Sequence, residues 1–523
     1  MNDMPLSAPQ AALPAPVIPA RRRYTLAQKL LAAAVLLLSY FYIRMFFFSP
    51  AGIGRTLFVF LLLGVSAAYM AHAKIRPNAA SIAAGALTGL FSLVFALVPS
   101  GMLTFFTAAF CQFGYTYFVY KSMDVQVEPR PGRFFDFDLL KAVFAMPFAS
   151  FGALFPALFT VPLNGKALGE KKAARTVGLV LLGLLLSVFP TAIAVSLLSF
   201  DAGFRAMLDG IFAFELPQFS FFEQAVYIVL ALPVAMYIFG LWSSGSRGAC
   251  AGMRAESCAR FRTAAHILPR TAVVAACVPV LLVYLLFFIA QLPYFTSAFS
   301  GVLPAQFTHA EYARQGFFEL CAVLVLNGGL AYLLALFAKR AGKNTAPRVC
   351  IALLSAASLI LTATAVSKML LYVDAFGLTL SRVYTLWFML AAALVFLLLL
   401  ARVISRRVPF VPLVLAVCTV MFGVLAFSDA PSFVSRCNAD RVCAGADWTL
   451  DRGYFEQLGA SAVPDAVRLE SDPAADRVTR SNARRFLDDY TLYHEDGSGL
   501  SFNLTEHRAR QALRNRVPQG TDI

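Results

Sequence analysis

Residues 383–404 read VYTLWFMLAAALVFLLLLARVI, and Arg402 is the one charged side chain among them. An α-helix rises 1.5 Å per residue, so about 20 apolar residues cross the hydrocarbon core of a bilayer. A helix also pairs its own backbone N–H and C=O groups, which lipid requires because it offers them no partner. Working outward, similar stretches recur at 30–49, 56–73, 79–98, 102–120, 176–199, 222–244, 271–291, 316–338, 349–371 and 409–428. The chain therefore reads as an all-α membrane protein with about eleven transmembrane helices. Composition agrees: 59% of its 523 residues are hydrophobic and 14% are charged, against about 25% charged in ordinary soluble domains.

The net charge of +15 is unevenly placed. From Asp429 onward there are 12 Arg and no Lys against 15 acidic residues, so the excess of base belongs to the membrane part. It sits in alternate short loops. One set holds Arg21, Arg22, Arg23 and Lys29; Lys74 and Arg76; Lys121, Arg130, Arg133 and Lys141; Arg247, Arg254, Arg260, Arg262 and Arg270; Lys339, Arg340, Lys343 and Arg348; Arg406 and Arg407. The loops between them carry at most one base each, such as Arg55, Arg205, Arg314 and Arg382. Loops rich in Lys and Arg stay in the cytoplasm, so the N-terminus is expected inside and the C-terminus outside a bacterial inner membrane. The same distribution excludes a nucleic-acid surface, which would gather its charge into one stripe.

Residues 1–24 read as a Pro- and Ala-rich cytoplasmic tail without structure, 25–428 as the membrane domain and 429–523 as a small, mostly helical external region. The first apolar run is too long for a cleavable leader. Residues 142–163 are apolar enough to span but have basic flanks on both sides, and they contain Pro147, Pro156 and Pro162. A crossing there would reverse the charge bias of every later loop, so a re-entrant hairpin is expected. Asp201, Phe204, Leu208, Ile211 and Phe212 suggest a short amphipathic helix over 201–214. In the external region, helical periods run over 449–459, 481–493 and 504–516. Asp451 ahead of Tyr454, Phe455 and Leu458 suggests a capped helix.

Chemical signatures are sparse. His72, His266, His309, His494 and His507 are scattered, and no phosphate-binding loop, nucleophile elbow or metal spacing occurs. No catalytic, cofactor-binding or metal-binding residue is assigned, and no cofactor is expected. Cys437 and Cys443, both external, are expected to close as a disulfide in an oxidising compartment, the alternative being two free thiols. Gly85 and Gly89 have the spacing of a small-residue packing motif, read as ordinary close packing.

Ionisable residues near apolar spans are the more informative feature, because they are costly there. Glu319 and Lys368 lie toward the outer ends of two helices joined by a short loop, and antiparallel packing would bring them to one depth. Glu311, Tyr312, Arg314, Tyr372, Asp374 and Arg382 flank them. Asn327-Gly328-Gly329 is expected to interrupt one helix. Ser355, Ser358 and Thr362, with Pro190, Pro233 and Pro279, could line a polar path between kinked helices.

The run EYARQGFFEL at 311–320 and the run YVDAFGLTLSR at 372–382 followed by Tyr384 resemble signatures of a bacterial membrane protein family known as a domain of unknown function. Leu450-Asp451-Arg452-Gly453-Tyr454 with Ala462-Val463-Pro464 resembles that family's juxtamembrane ending. The likeness covers roughly 200–468. It implies a multi-span bacterial membrane protein and supplies no substrate or catalytic residue. Two functions compete: an envelope sensor or assembly subunit acting through the outer cluster, and a transporter or export-linked permease acting through kinked spans. A membrane enzyme is least favoured, because no nucleophile, base or metal set can be named. The expected partners are membrane lipid and a membrane or envelope protein, with no nucleic acid.

Overall fold

A computed structural model describes residues 24–98, 100–159, 221–248, 250, 252–300, 317–339, 345–493 and 499–516. The expected unstructured tail at 1–23, the span at 176–199 with Pro190, the amphipathic helix at 201–214, and Glu311, Tyr312 and Arg314 all lie outside the described residues. The described chain is helical throughout, without a β-strand. Nine of its helices are long and apolar enough to cross a membrane, or ten if one bent pair counts as a span.

The nine fall on nine of the eleven expected runs; the run at 102–120 is helical but is not among them. Leu26–Phe47 begins with a capping box, in which Thr25 Oγ1 accepts from the Gln28 amide and Gln28 Oε1 from the Thr25 amide. Two orphan donors of the first turn are thereby satisfied. Ile53–His72 follows, then Ala79–Ser92 continued by the turn Val94–Leu97. Asn78 caps Ala79–Ser92 by accepting from the Ser81 amide, and its amide nitrogen donates to the Lys121 carbonyl. One residue thus starts one helix and fixes the end of its antiparallel neighbour, Gly101–Ser122. Gly85 and Gly89 face Phe118 and Phe60 of this same chain, so the small-residue motif serves internal packing.

These helices and Phe221–Arg247 form the first bundle. Its interior holds a short polar chain: Trp242 Nε1 donates to the Tyr115 hydroxyl at 3.2 Å, which also bonds Ser66 Oγ at 2.9 Å. A second bundle consists of Arg270–Ser300, Phe317–Phe337, Ala346–Phe376 and Leu380–Ile404. Phe410–Phe427 joins the two, stacking Phe422 on Phe91 with ring centroids 5.4 Å apart. Leu282, Leu286, Val325, Leu326, Val420 and Val424 are exposed on the outer surfaces. In water that would be an unstable arrangement; against acyl chains it is the expected one.

The segment anticipated as a hairpin enters as a broken helix. Phe135–Leu140 passes through a π-helical turn at Lys141–Ala145 into Met146–Ala149, and Leu154–Phe159 follows after a bend of 44°. Ser244 Oγ donates to the Met146 carbonyl at 2.5 Å, and a Cβ on Gly240 would come within 2.3 Å of the Pro147 carbonyl oxygen. The segment thus climbs along Phe221–Arg247 from its basic end, in backbone contact that only glycine permits. Its course after Phe159 lies outside the described residues.

Two other expectations change. Phe317–Phe337 runs unbroken through Asn327, Gly328 and Gly329, and no break marks Pro233 or Pro279 in their helices. Asn327, fully buried, accepts from the Tyr284 hydroxyl at 2.5 Å and donates to Ser358 Oγ at 2.9 Å. Ser355, Ser358 and Thr362 each donate to the carbonyl four residues earlier. The polar residues of these helices bond to one another and to backbone. The bonds of Asn327 hold three helices together, as hydrogen bonds in lipid do.

Candidate functional site

Beyond the last span the described residues form five α-helices: Ala430–Cys443, Arg452–Leu458, Val463–Ser471, Arg477–Tyr493 and Leu504–Arg514. Asp451 caps the second, its Oδ1 accepting from the Tyr454 amide at 2.8 Å, as its spacing suggested. Phe455, Leu458, Val463, Leu469, Leu487 and Ala509 bury one core. Leu378, Leu380 and Val383 of the membrane part pack against it, so the tail is seated on the bundle.

The seat is the 372–382 motif. Asn438 grips Leu378 at two points: its Oδ1 accepts from the Leu378 amide at 2.8 Å, and its Nδ2 donates to the Leu378 carbonyl at 2.7 Å. A second Nδ2 bond reaches the Tyr454 hydroxyl at 3.1 Å, which in turn donates to the Val434 carbonyl. Gly377, at φ +72° and ψ −176°, lies against Trp448 and Asn438. Arg441 donates to the Val373 carbonyl at 2.8 Å and comes within 3.9 Å of Asp374. Asp374 is well exposed, so this ion pair contributes little. Arg382 lies over the Tyr372 ring, 4.0 Å from its centre, and donates to the Phe376 carbonyl at 3.1 Å and to that of Gly377.

Of the predicted cluster, then, Tyr372, Asp374 and Arg382 are together at the seat of the tail. Lys368 is half-buried one turn earlier on the same helix. Glu319 lies in the first turn of Phe317–Phe337. Its neighbours Leu320 and Cys321 pack beside Ala365 and Met369, so the backbone puts residues 319 and 368 at one level; the Glu319 side chain is outside the described residues.

The tail reaches further. The Ile53 amide donates to the Phe502 carbonyl at 2.8 Å, and Thr505 Oγ1 donates to the Leu97 carbonyl at 3.0 Å. Three places between spans, at Ile53, Leu97 and Leu378, therefore meet the tail on one side of the molecule.

The expected disulfide does not form. Cys437 and Cys443 are free and belong to one continuous helix. Six residues of α-helix rise about 9 Å, more than the separation of about 7 Å that a disulfide tolerates. Cys443 Sγ instead donates to Asp472 at 3.2 Å. Burial, and then that carboxylate, push its thiol above the ordinary range, which makes it a poor nucleophile.

At the opposite end the structure buries charges that sequence reasoning had counted among exposed loop bases. Lys121 and Lys141 are 1% and 4% exposed, with Asp138 at 3%. Asp138 accepts from the Tyr120 hydroxyl at 2.5 Å and from the Val127 amide at 2.7 Å. Lys121 Nζ donates to the Pro129 carbonyl. Nearby, Asp136 pairs with Arg262 at 2.7 Å and accepts from the Tyr332 hydroxyl at 3.1 Å, tying the two bundles together on this side. The available signal was the four acids of this loop, Asp124, Glu128, Asp136 and Asp138, set among its four bases.

No group of His, Cys, Asp and Glu among the described residues could hold a metal ion. No curated protein and no solved structure matches the chain. Residues 85–469 match the family described as a domain of unknown function, DUF4153, a span that begins well before the 200 or so at which the motifs suggested the likeness started and takes in the tail's seat; this polytopic membrane protein belongs to that family.

Proposed function

We propose that the chain is an inner-membrane protein with a cytoplasmic N-terminus and an external tail. The charge bias of the loops carries this orientation, and the seating of the tail on turns poor in base is consistent with it. Alkaline phosphatase fused after residue 440 should be active, and a fluorescent protein fused there dark. The reverse pattern would overturn the orientation.

Within that frame we infer an envelope sensor or assembly subunit that works through the seated tail. The observation that carries this is the two-point grip of Asn438 on Leu378. The family-like motif is used to fix an external domain to the bundle, so a force or ligand met by that domain is passed to the helix ends. The transporter reading rests on kinked spans and charges within the membrane, and among the described residues Pro233 and Pro279 make no break in their helices. Complementation of a deletion strain separates the two. Asn438→Ala, matched to the parent in membrane abundance, should fail to restore the phenotype, while Ser358→Ala should restore it fully. Failure of Ser358→Ala together with full activity of Asn438→Ala would reject the sensor reading in favour of transport.

A further inference from the structure

On the basic side, far from the tail, a cleft of about 230 Å³ opens where Gly101–Ser122 and Phe221–Arg247 end and the broken helix begins. Lys141 and Arg254 line it along with Gln126, Met146, Ser244 and Met253, and no carboxylate does. We propose that this cleft is a binding site for a phosphate-bearing anion at the level of the lipid headgroups.

Two observations converge. First, the Lys141 ammonium is buried yet held only by neutral acceptors, the Val125 carbonyl at 2.6 Å and the Met253 carbonyl at 3.2 Å. Among the described residues no carboxylate lies within ion-pair distance of it. An ammonium has three protons, and carbonyl dipoles offset the loss of water less well than an anion does. Asp138, one turn earlier, is held by Tyr120 and Val127 and does not line the cleft. Second, Arg254 is exposed at the same wall, and its planar fork fits phosphate oxygens. The apolar walls from Val125, Met146 and Met253 suit the glycerol end of a lipid, and basic pockets at this level of a membrane protein attract anionic headgroups. Free phosphate shares the recognising chemistry.

The test uses the full chain, purified in a neutral detergent and titrated separately with phosphatidylglycerol, diacylglycerol and inorganic phosphate while its melting temperature is followed. Phosphatidylglycerol, inorganic phosphate or both should raise the midpoint saturably, and diacylglycerol should not. A response to the lipid alone identifies a headgroup site; an equal response to inorganic phosphate identifies a free-anion site. Arg254→Gln should weaken the apparent affinity by about tenfold. Lys141→Met should abolish it. Because Lys141 also ties two backbone carbonyls, the exposed Arg254 decides the matter. No saturable rise with either phosphate compound, a rise equal with diacylglycerol, or parental affinity in Arg254→Gln would each overturn the proposal.

Discussion

Gly377→Ala is expected to unseat the tail. At φ +72° and ψ −176° residue 377 occupies a region that is essentially closed to side chains. A Cβ there would meet the Trp448 ring at 2.8 Å and Asn438 Oδ1 at 2.9 Å. Relief requires either a change of backbone, which breaks the Leu378–Asn438 grip, or a shift of Trp448 out of the seat. The strain alone is worth about 1–3 kcal/mol, and each hydrogen bond lost adds about 1 kcal/mol. The combined effect should appear as a lower melting temperature and as rapid protease cleavage between residues 444 and 451. A variant that melts with the parent and resists protease equally would show that the seat does not hold the tail.

Phe455→Ala should have an effect as large, confined to the tail. Its ring is fully buried and stacks on Phe486 with centroids 5.6 Å apart. Truncating a buried phenylalanine costs about 3–5 kcal/mol, a large share of the stability of so small a core. Hydrogen exchange of the detergent-purified protein should show loss of protection throughout residues 430–514. Amides of the first bundle, Val119 and Ala235 among them, should keep theirs, since no span depends on this ring. Unchanged protection in the tail would mean that the core is not the cooperative unit its packing suggests.

The spans were legible because lipid leaves the backbone few options, and an apolar run of sufficient length is a direct statement of one of them. The cap at Asp451 was legible for an equally local reason. What escaped was every feature that depends on which side chains meet. Lys121 and Lys141 have the composition of loop bases, and nothing in their spacing says that carbonyls from 125, 129 and 253 close over them. Asn327 beside two glycines reads as a helix breaker, but its partners Tyr284 and Ser358 come from two other helices. The first helix of the tail was missed because Pro431 and the polar residues after it mask its period. Its recognition would also have removed the disulfide, since the separation of Cys437 and Cys443 was judged as that of a loop. Tyr372, Asp374 and Arg382 stood out in the sequence as unusual residues close together, while their relation to Asn438 and Trp448 needed the fold of the tail.

The clasp of Phe502 and Thr505 on Ile53 and Leu97 joins the tail to spans that precede it by more than 400 residues. A ribosome delivers the chain from its N-terminus, and early segments adopt structure before later ones exist. The turns at 53 and 97 therefore lack these two partners until residues 499–516 have been made and have reached them. Synthesis as far as residue 516 is thus written into this architecture: a product cut short before residue 499 keeps the sequences of its spans but leaves that latch open.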